Sequence, residues 1–194
     1  MKYSIELKKP SPPEWIECVL NDFGSFLQDH ADCERKASAM AMSFVAKCPD
    51  RLEIIPSLID VAIEELEHFQ LVYNIMKTKG ISLKKEMTED LYIKTLLKHC
   101  KSDKEGRFLD RLLLASVFEC RGAERFKLVA DKLTDPELKS FYKDLWVSEA
   151  KHGNIFVKMA LEYFDEKRVY ERLEHLMVCE GDLIYKLPIK PTLH

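Results

Sequence analysis

Two short stretches of this 194-residue chain carry the same pair of chemical groups. Glu65-Leu66-Glu67-His68 and Glu149-Ala150-Lys151-His152 each place a histidine three residues after a glutamate. On a helix that spacing sets both side chains on one face. A carboxylate beside an imidazole is a ready donor pair for a metal ion. What matters is whether the shared face is turned inward.

The surrounding pattern says that it is. Leu58, Val61, Ala62, Glu65, His68, Phe69, Val72, Ile75 and Met76 recur at helical period, and only Glu65 and His68 interrupt an apolar stripe. Glu64 and Glu67 fall off it. Leu138, Phe141, Tyr142, Leu145, Glu149, His152, Ile155, Phe156 and Met159 form the matching stripe later in the chain. Two further stripes carry one carboxylate each. Glu34 sits amid Phe23, Phe26, Leu27, His30, Ala31, Ala37, Ala41, Phe44 and Val45. Glu119 sits amid Leu112, Ala115, Ser116, Gly122, Ala123, Phe126 and Val129. Glu124 lies well round the helix from Glu119 and is set aside. The intervals from Glu34 to Glu65 and from Glu119 to Glu149 match to within one residue, as a pseudo-twofold arrangement of helix pairs requires.

A buried carboxylate costs several kcal/mol unless it is paired, and about four together would cost more. No lysine or arginine lies on these stripes to neutralise them. Two divalent cations would balance four carboxylates and use both histidines. One glutamate from each of two helices with Glu-x-x-His from two others is the di-iron or di-manganese carboxylate pattern of helical bundles. The competing reading is a set of buried, hydrogen-bonded polar residues with no metal. The expected ligands are Glu34, Glu65, His68, Glu119, Glu149 and His152, with Glu65 and Glu149 as bridges. Glu34 with His68 completes one metal, and Glu119 with His152 the other. The oxygen-rich set suits iron or manganese better than structural zinc, and iron can activate oxygen.

The elements that must position these residues follow from the same periodicity. Residues 1–13 end in Pro10-Ser11-Pro12-Pro13 and read as an extended lead-in. Helices are predicted from Glu14 to about Cys48, from near Pro56 to Lys79 with Gly80 as the stop, from about Arg107 to Leu133, and from Thr134-Asp135-Pro136 to about Phe164. Shorter helices are expected at roughly Thr88–Cys100, within a charged connector over 81–106, and at Val169–Tyr185. Residues 186–194 read as an extended tail. The expectation is one all-α domain over 1–194, a four-helix bundle with additional shorter helices.

Composition agrees. Six glycines are too few for a turn-dense β protein, and a charged fraction of 32% suits helical surfaces. No apolar run approaches the roughly 18 residues that span a bilayer, and the first residues lack a signal-peptide core. The six cysteines (Cys18, Cys33, Cys48, Cys100, Cys120, Cys179) form no CxxC pair; they read as reduced thiols, and the expected location is the cytoplasm. A net charge of −3 excludes a polycation, so any nucleic acid would meet a local basic face.

The segments around the expected ligands resemble the MiaE family of tRNA-modifying enzymes. They are Asp29-His30-Ala31-Asp32-Cys33-Glu34-Arg35-Lys36-Ala37, Glu64-Glu65-Leu66-Glu67-His68-Phe69, Phe118-Glu119-Cys120-Arg121, Glu124-Arg125-Phe126 and Ser148-Glu149-Ala150-Lys151-His152. Arg172-Leu173-Glu174 and Glu180-Gly181-Asp182-Leu183-Ile184 are similar as well. The resemblance implies a ferritin-like, non-haem di-iron monooxygenase. It would hydroxylate the isopentenyl chain of 2-methylthio-isopentenyl-adenosine next to the anticodon of tRNA. It implies the same six ligands, oxygen as co-substrate, and electrons from an external reductase. Ferritins and rubrerythrins share the ligand spacing but not this context, so a di-iron oxidase or peroxidase not acting on tRNA is the alternative. A bundle that only binds RNA or protein is a third reading.

Other polar and aromatic residues lie near this set in the sequence. His30, one turn before Glu34, is a candidate to orient it, or is a satisfied core histidine. Cys33 and Cys120 point away from the ligand faces. Arg121 and Arg125 are expected to anchor carboxylates, or to contact phosphate if exposed, and Tyr142 and Trp146 to pack. The candidate RNA contacts are Lys84, Lys85, Lys94, Lys98, Lys101, Lys104 and Arg107, offset by Glu86, Glu89, Asp90, Asp103 and Glu105.

Overall fold

A computed structural model describes residues 5–85 and 90–194. The expected lead-in residues Met1-Lys2-Tyr3-Ser4, Thr88 at the expected start of the short helix, and Glu86 and Glu89 of the connector lie outside them. Among the described residues the regular structure is helical throughout: α1 Pro13–Asn21, α2 Phe23–Lys47, α3 Ile55–Thr78, α4 Leu91–Leu97, α5 Lys104–Lys132, α6 Pro136–Leu161 and α7 Glu166–Leu183. None of them is long and apolar enough to cross a membrane.

The chain groups into two compact units. One comprises Glu17–Thr88 with Ile189–Leu193, the other Met1–Ile16, Glu89–Pro188 and His194. In the first, α2 and α3 pack along each other. Phe26, Leu27, Phe44, Leu58, Val61, Val72 and Met76 are buried there, and burying one such side chain contributes about 1.5–3 kcal/mol. The Ser38 hydroxyl donates to the Ala62 carbonyl across the pair at 2.7 Å. In the second unit α5 packs on α6, α7 lies against both, and α4 packs on α5 and α7. Leu112, Leu113, Phe126, Val129, Phe156, Leu173 and Leu176 are buried in this unit.

Helix ends differ from the periodicity at several points, each with a local cause. The single helix expected from Glu14 to Cys48 is two. Asp22 leaves the helical region (φ −139°), and its carboxylate accepts from the Ser25 amide at 3.1 Å, which starts α2 afresh. At the start of α5, Asp103 accepts from the Gly106 amide at 2.7 Å, so the helix begins before Arg107. A Cβ on Gly106 would lie 2.6 Å from Asp103 Oδ2, so the cap needs a glycine there. Asp90, Asp135 and Asp165 cap α4, α6 and α7 in the same way. The stop at Gly80 has the form expected: its φ is +67°, Gly80 N–H donates to Lys77 O and Ile81 N–H to Met76 O. That is the glycine-terminated Schellman motif. No helix follows Leu183, as expected of the tail.

Candidate metal centre

The α2/α3 pair buries Glu34, Glu65 and His68. One donor atom from each lies within 4.8 Å of the others. His68 turns Nδ1 toward the carboxylates, 3.3 Å from Glu65 Oε2 and 3.8 Å from Glu34 Oε2. His30, one turn before Glu34 and fully buried, places Nε2 2.6 Å from Glu34 Oε1. Glu34 is therefore gripped on its own helix by a group that leaves its second oxygen directed to His68.

The α5/α6 pair presents the same donor types. Glu119, Glu149 and His152 are buried, and one donor atom from each lies within 4.8 Å of the others. His152 Nδ1 stands 3.7 Å from Glu149 Oε2. In both pairs the histidine thus offers the same ring nitrogen to the glutamate three residues earlier. Close packing sustains this: Gly153, beside His152, faces the Cys120 sulfur, which a Cβ there would approach to 2.9 Å.

Each half supplies two carboxylates and one imidazole. Two negative charges with one neutral nitrogen match a divalent, oxygen-preferring ion such as iron or manganese. Thiolates are kept out of both sets. The Cys33 sulfur is directed to Asp29 Oδ2 at 3.8 Å. Burial pushes the Cys120 thiol up to about 11, so it remains protonated at neutral pH.

The residues set aside lie elsewhere. Glu124 accepts from the Ser11 amide at 2.8 Å, the Ser11 hydroxyl at 2.7 Å and Arg121 at 3.1 Å. Arg121 is fully buried and grips Glu180 through Nε at 2.7 Å and a terminal nitrogen at 2.8 Å. Burial works against its charge, but the Glu180 carboxylate more than offsets this and holds the guanidinium above its ordinary range. Arg125 stacks on Trp15 at 4.6 Å. Burial, with Arg121 beside it, pushes Arg125 down to about 10. Both arginines therefore anchor structure, as expected. Tyr142 packs on Phe126 and Phe141, and Trp146 lies under Lys127. Glu180 is not among the site residues expected from the sequence. The signal was present, because Glu180 continues the apolar stripe Val169, Leu173, Leu176, Met177 of α7, where a lone charge demands a partner.

The expected RNA contacts are scattered in their roles. Lys84 is held by Asp29 at 3.0 Å, and Arg107 donates to the Lys101 and Ser102 carbonyls. Lys85, Lys94, Lys98, Lys101 and Lys104 are exposed.

Among the described residues, seven helices with two buried Glu/His triads define an all-α protein of the ferritin-like class. A solved structure described as "Protein 43 with aldehyde deformylating oxygenase activity from Synechococcus" matches all of this chain and 96% of its own, with a TM-score of 0.91 and 29% identity. The family described as "MiaE: tRNA-(MS[2]IO[6]A)-hydroxylase (MiaE)" matches residues 2–194, and the chain belongs to that family. A Pseudomonas putida protein named tRNA 2-(methylsulfanyl)-N(6)-isopentenyladenosine(37) hydroxylase is 34% identical over 90% of this chain and 84% of its own length. A Salmonella typhimurium protein of the same name is 30% identical over 68% of this chain and 48% of its own length.

Proposed function

We propose that this chain is an oxygen-dependent di-iron hydroxylase acting on the isopentenyl group of 2-methylthio-isopentenyl-adenosine in tRNA. Family membership and the names of both relatives support the reaction and the substrate. The observation that carries the metal assignment is the matched pair of buried triads, each with two carboxylates and an Nδ1-directed histidine. An oxidase or peroxidase indifferent to tRNA has no comparable support.

In this reading Glu34, Glu65, His68, Glu119, Glu149 and His152 would hold two irons. Such a centre would supply oxygen activation, with electrons from an external reductase. The chain's own part is positioning and exclusion. Its carboxylates balance the charge of the ions, and their burial keeps bulk water from the donors. His30 fixes one oxygen of Glu34, which limits the carboxylate to one orientation toward His68. Exposed lysines around α4 and the start of α5 (Lys94, Lys98, Lys101, Lys104) are the proposed contacts to tRNA phosphate. The six unbridged cysteines suit the reducing cytoplasm proposed as its location.

Mass spectrometry of tRNA nucleosides from cells lacking the protein tests the reaction. The hydroxylated nucleoside should vanish and its isopentenyl precursor accumulate; persistence of the hydroxylated form would refute the assignment. Metal analysis of the purified chain tests the centre separately. Binding of tRNA should weaken steeply with salt, because lysine contacts release counterions, and a flat salt response would remove these lysines from the interface.

A further inference from the structure

Away from both triads, three soft donors meet on the outer side of α7. We propose that His99, His175 and Cys179 form a zinc site. His175 and Cys179 stand four residues apart on α7 and therefore share a face. His99 comes from the turn after α4, in the same compact unit. One donor atom from each of the three lies within 4.8 Å of the others.

The spacing is that of ligands on one ion. In a tetrahedral zinc site with ordinary Zn–S and Zn–N bonds, sulfur and nitrogen sit about 3.6 Å apart. His175 Nε2 and Cys179 Sγ are 3.6 Å apart. The ring of His99 stands edge-on to that of His175, with centroids 6.5 Å apart, so its nitrogens reach the same space. The backbone that carries His99 is fixed as well. Arg172, one turn before His175, donates to the His99 carbonyl at 2.6 Å and is itself held by Asp110 at 2.6 and 2.9 Å. Two imidazoles and one thiolate suit a borderline ion such as zinc, with water as fourth ligand.

On binding, the Cys179 S–H bond breaks, its proton leaves to solvent and the sulfur lone pair forms the bond to zinc; no electron is transferred. Because the ligands come from two elements, the ion ties the end of α4 to α7. The histidines are exposed and the cysteine half-exposed, so the site is open to metal without unfolding.

Cobalt(II) added anaerobically to the iron-loaded protein reads this site directly. The Glu/His triads contain no sulfur, so only a cysteine site can give a thiolate-to-cobalt charge-transfer band. One equivalent of cobalt should produce that band with the strong visible absorption of four-coordinate cobalt, and zinc should displace it. Cys179→Ser should abolish the band, and His99→Ala should weaken cobalt binding at least tenfold, both with unchanged far-ultraviolet circular dichroism. Zinc should raise the melting temperature of the parent chain but not of Cys179→Ser. Failure to form the band, or a band of equal size in Cys179→Ser, would overturn the assignment and leave the di-iron reading untouched.

Discussion

The α2/α3 and α5/α6 pairs carry the same donors at the same spacing, yet they hold them by different means. Glu34 is clamped by His30 one turn earlier at 2.6 Å. The equivalent position before Glu119 is Ala115, which has no hydrogen-bonding side chain. The α5/α6 pair instead stands beside a buried ionic anchor, in which Arg121, two residues after Glu119, grips Glu180 of α7. One triad is oriented by a neighbour within its own helix. The other sits on a helix fastened from behind. Matched spacing in sequence thus specifies which donors are present but not how firmly each is held.

The largest effects should come from the donors themselves. Glu65→Ala and Glu149→Ala should each lower hydroxylation by more than about 100-fold and reduce bound iron to about one per chain or fewer. Glu124→Ala should leave the iron content unchanged. Iron analysis of the three variants decides this, and full iron in Glu149→Ala would remove the α5/α6 triad from the centre.

Next in size is the anchor. Arg121→Met strands Glu180 as a buried charge and should cost about 3–5 kcal/mol in denaturant unfolding. A loss of under about 1 kcal/mol would show that the pair behaves like a surface bridge.

The cysteine beside Glu119 sharpens the contrast further. Burial raises the Cys120 thiol from an ordinary value of 9.0 to about 11. The folded state therefore favours the protonated form. That contribution is complete below pH 9 and is lost as pH climbs toward 11. It amounts to at most about 2–3 kcal/mol. Cys120→Ala should lack this part of the alkaline loss, measured as the difference in unfolding free energy across that window.

The smallest effect is expected at the clamp. His30→Ala should weaken iron affinity or turnover by about 10–100-fold, with His30→Gln intermediate because an amide can still donate. Identical iron binding in His30→Ala and the parent would make His30 a packing residue only.

Most of the helices and the burial of the six expected ligands were readable from periodicity, because a glutamate or histidine that interrupts an apolar stripe is conspicuous. Helix starts were less so. Asp22 lies within an unbroken amphipathic pattern, and only its backbone angles reveal that it caps α2. Gly106 reads as a breaker, yet it is the residue that lets Asp103 close the first turn of α5. Glu180 required knowledge of its partner 59 positions away in sequence. The grouping of the chain into two compact units left no mark in composition.

The aspartates at the starts of α2, α4, α5, α6 and α7 share a liability. Each accepts amide hydrogen bonds as a carboxylate, and a protonated acid is a weaker acceptor. Asp103, held below its ordinary range chiefly by the Gly106 amide, retains its cap to the lowest pH its carboxylate tolerates. As the medium acidifies through that lowered range, the first turn of α5 should fray where Asp103 takes up its proton.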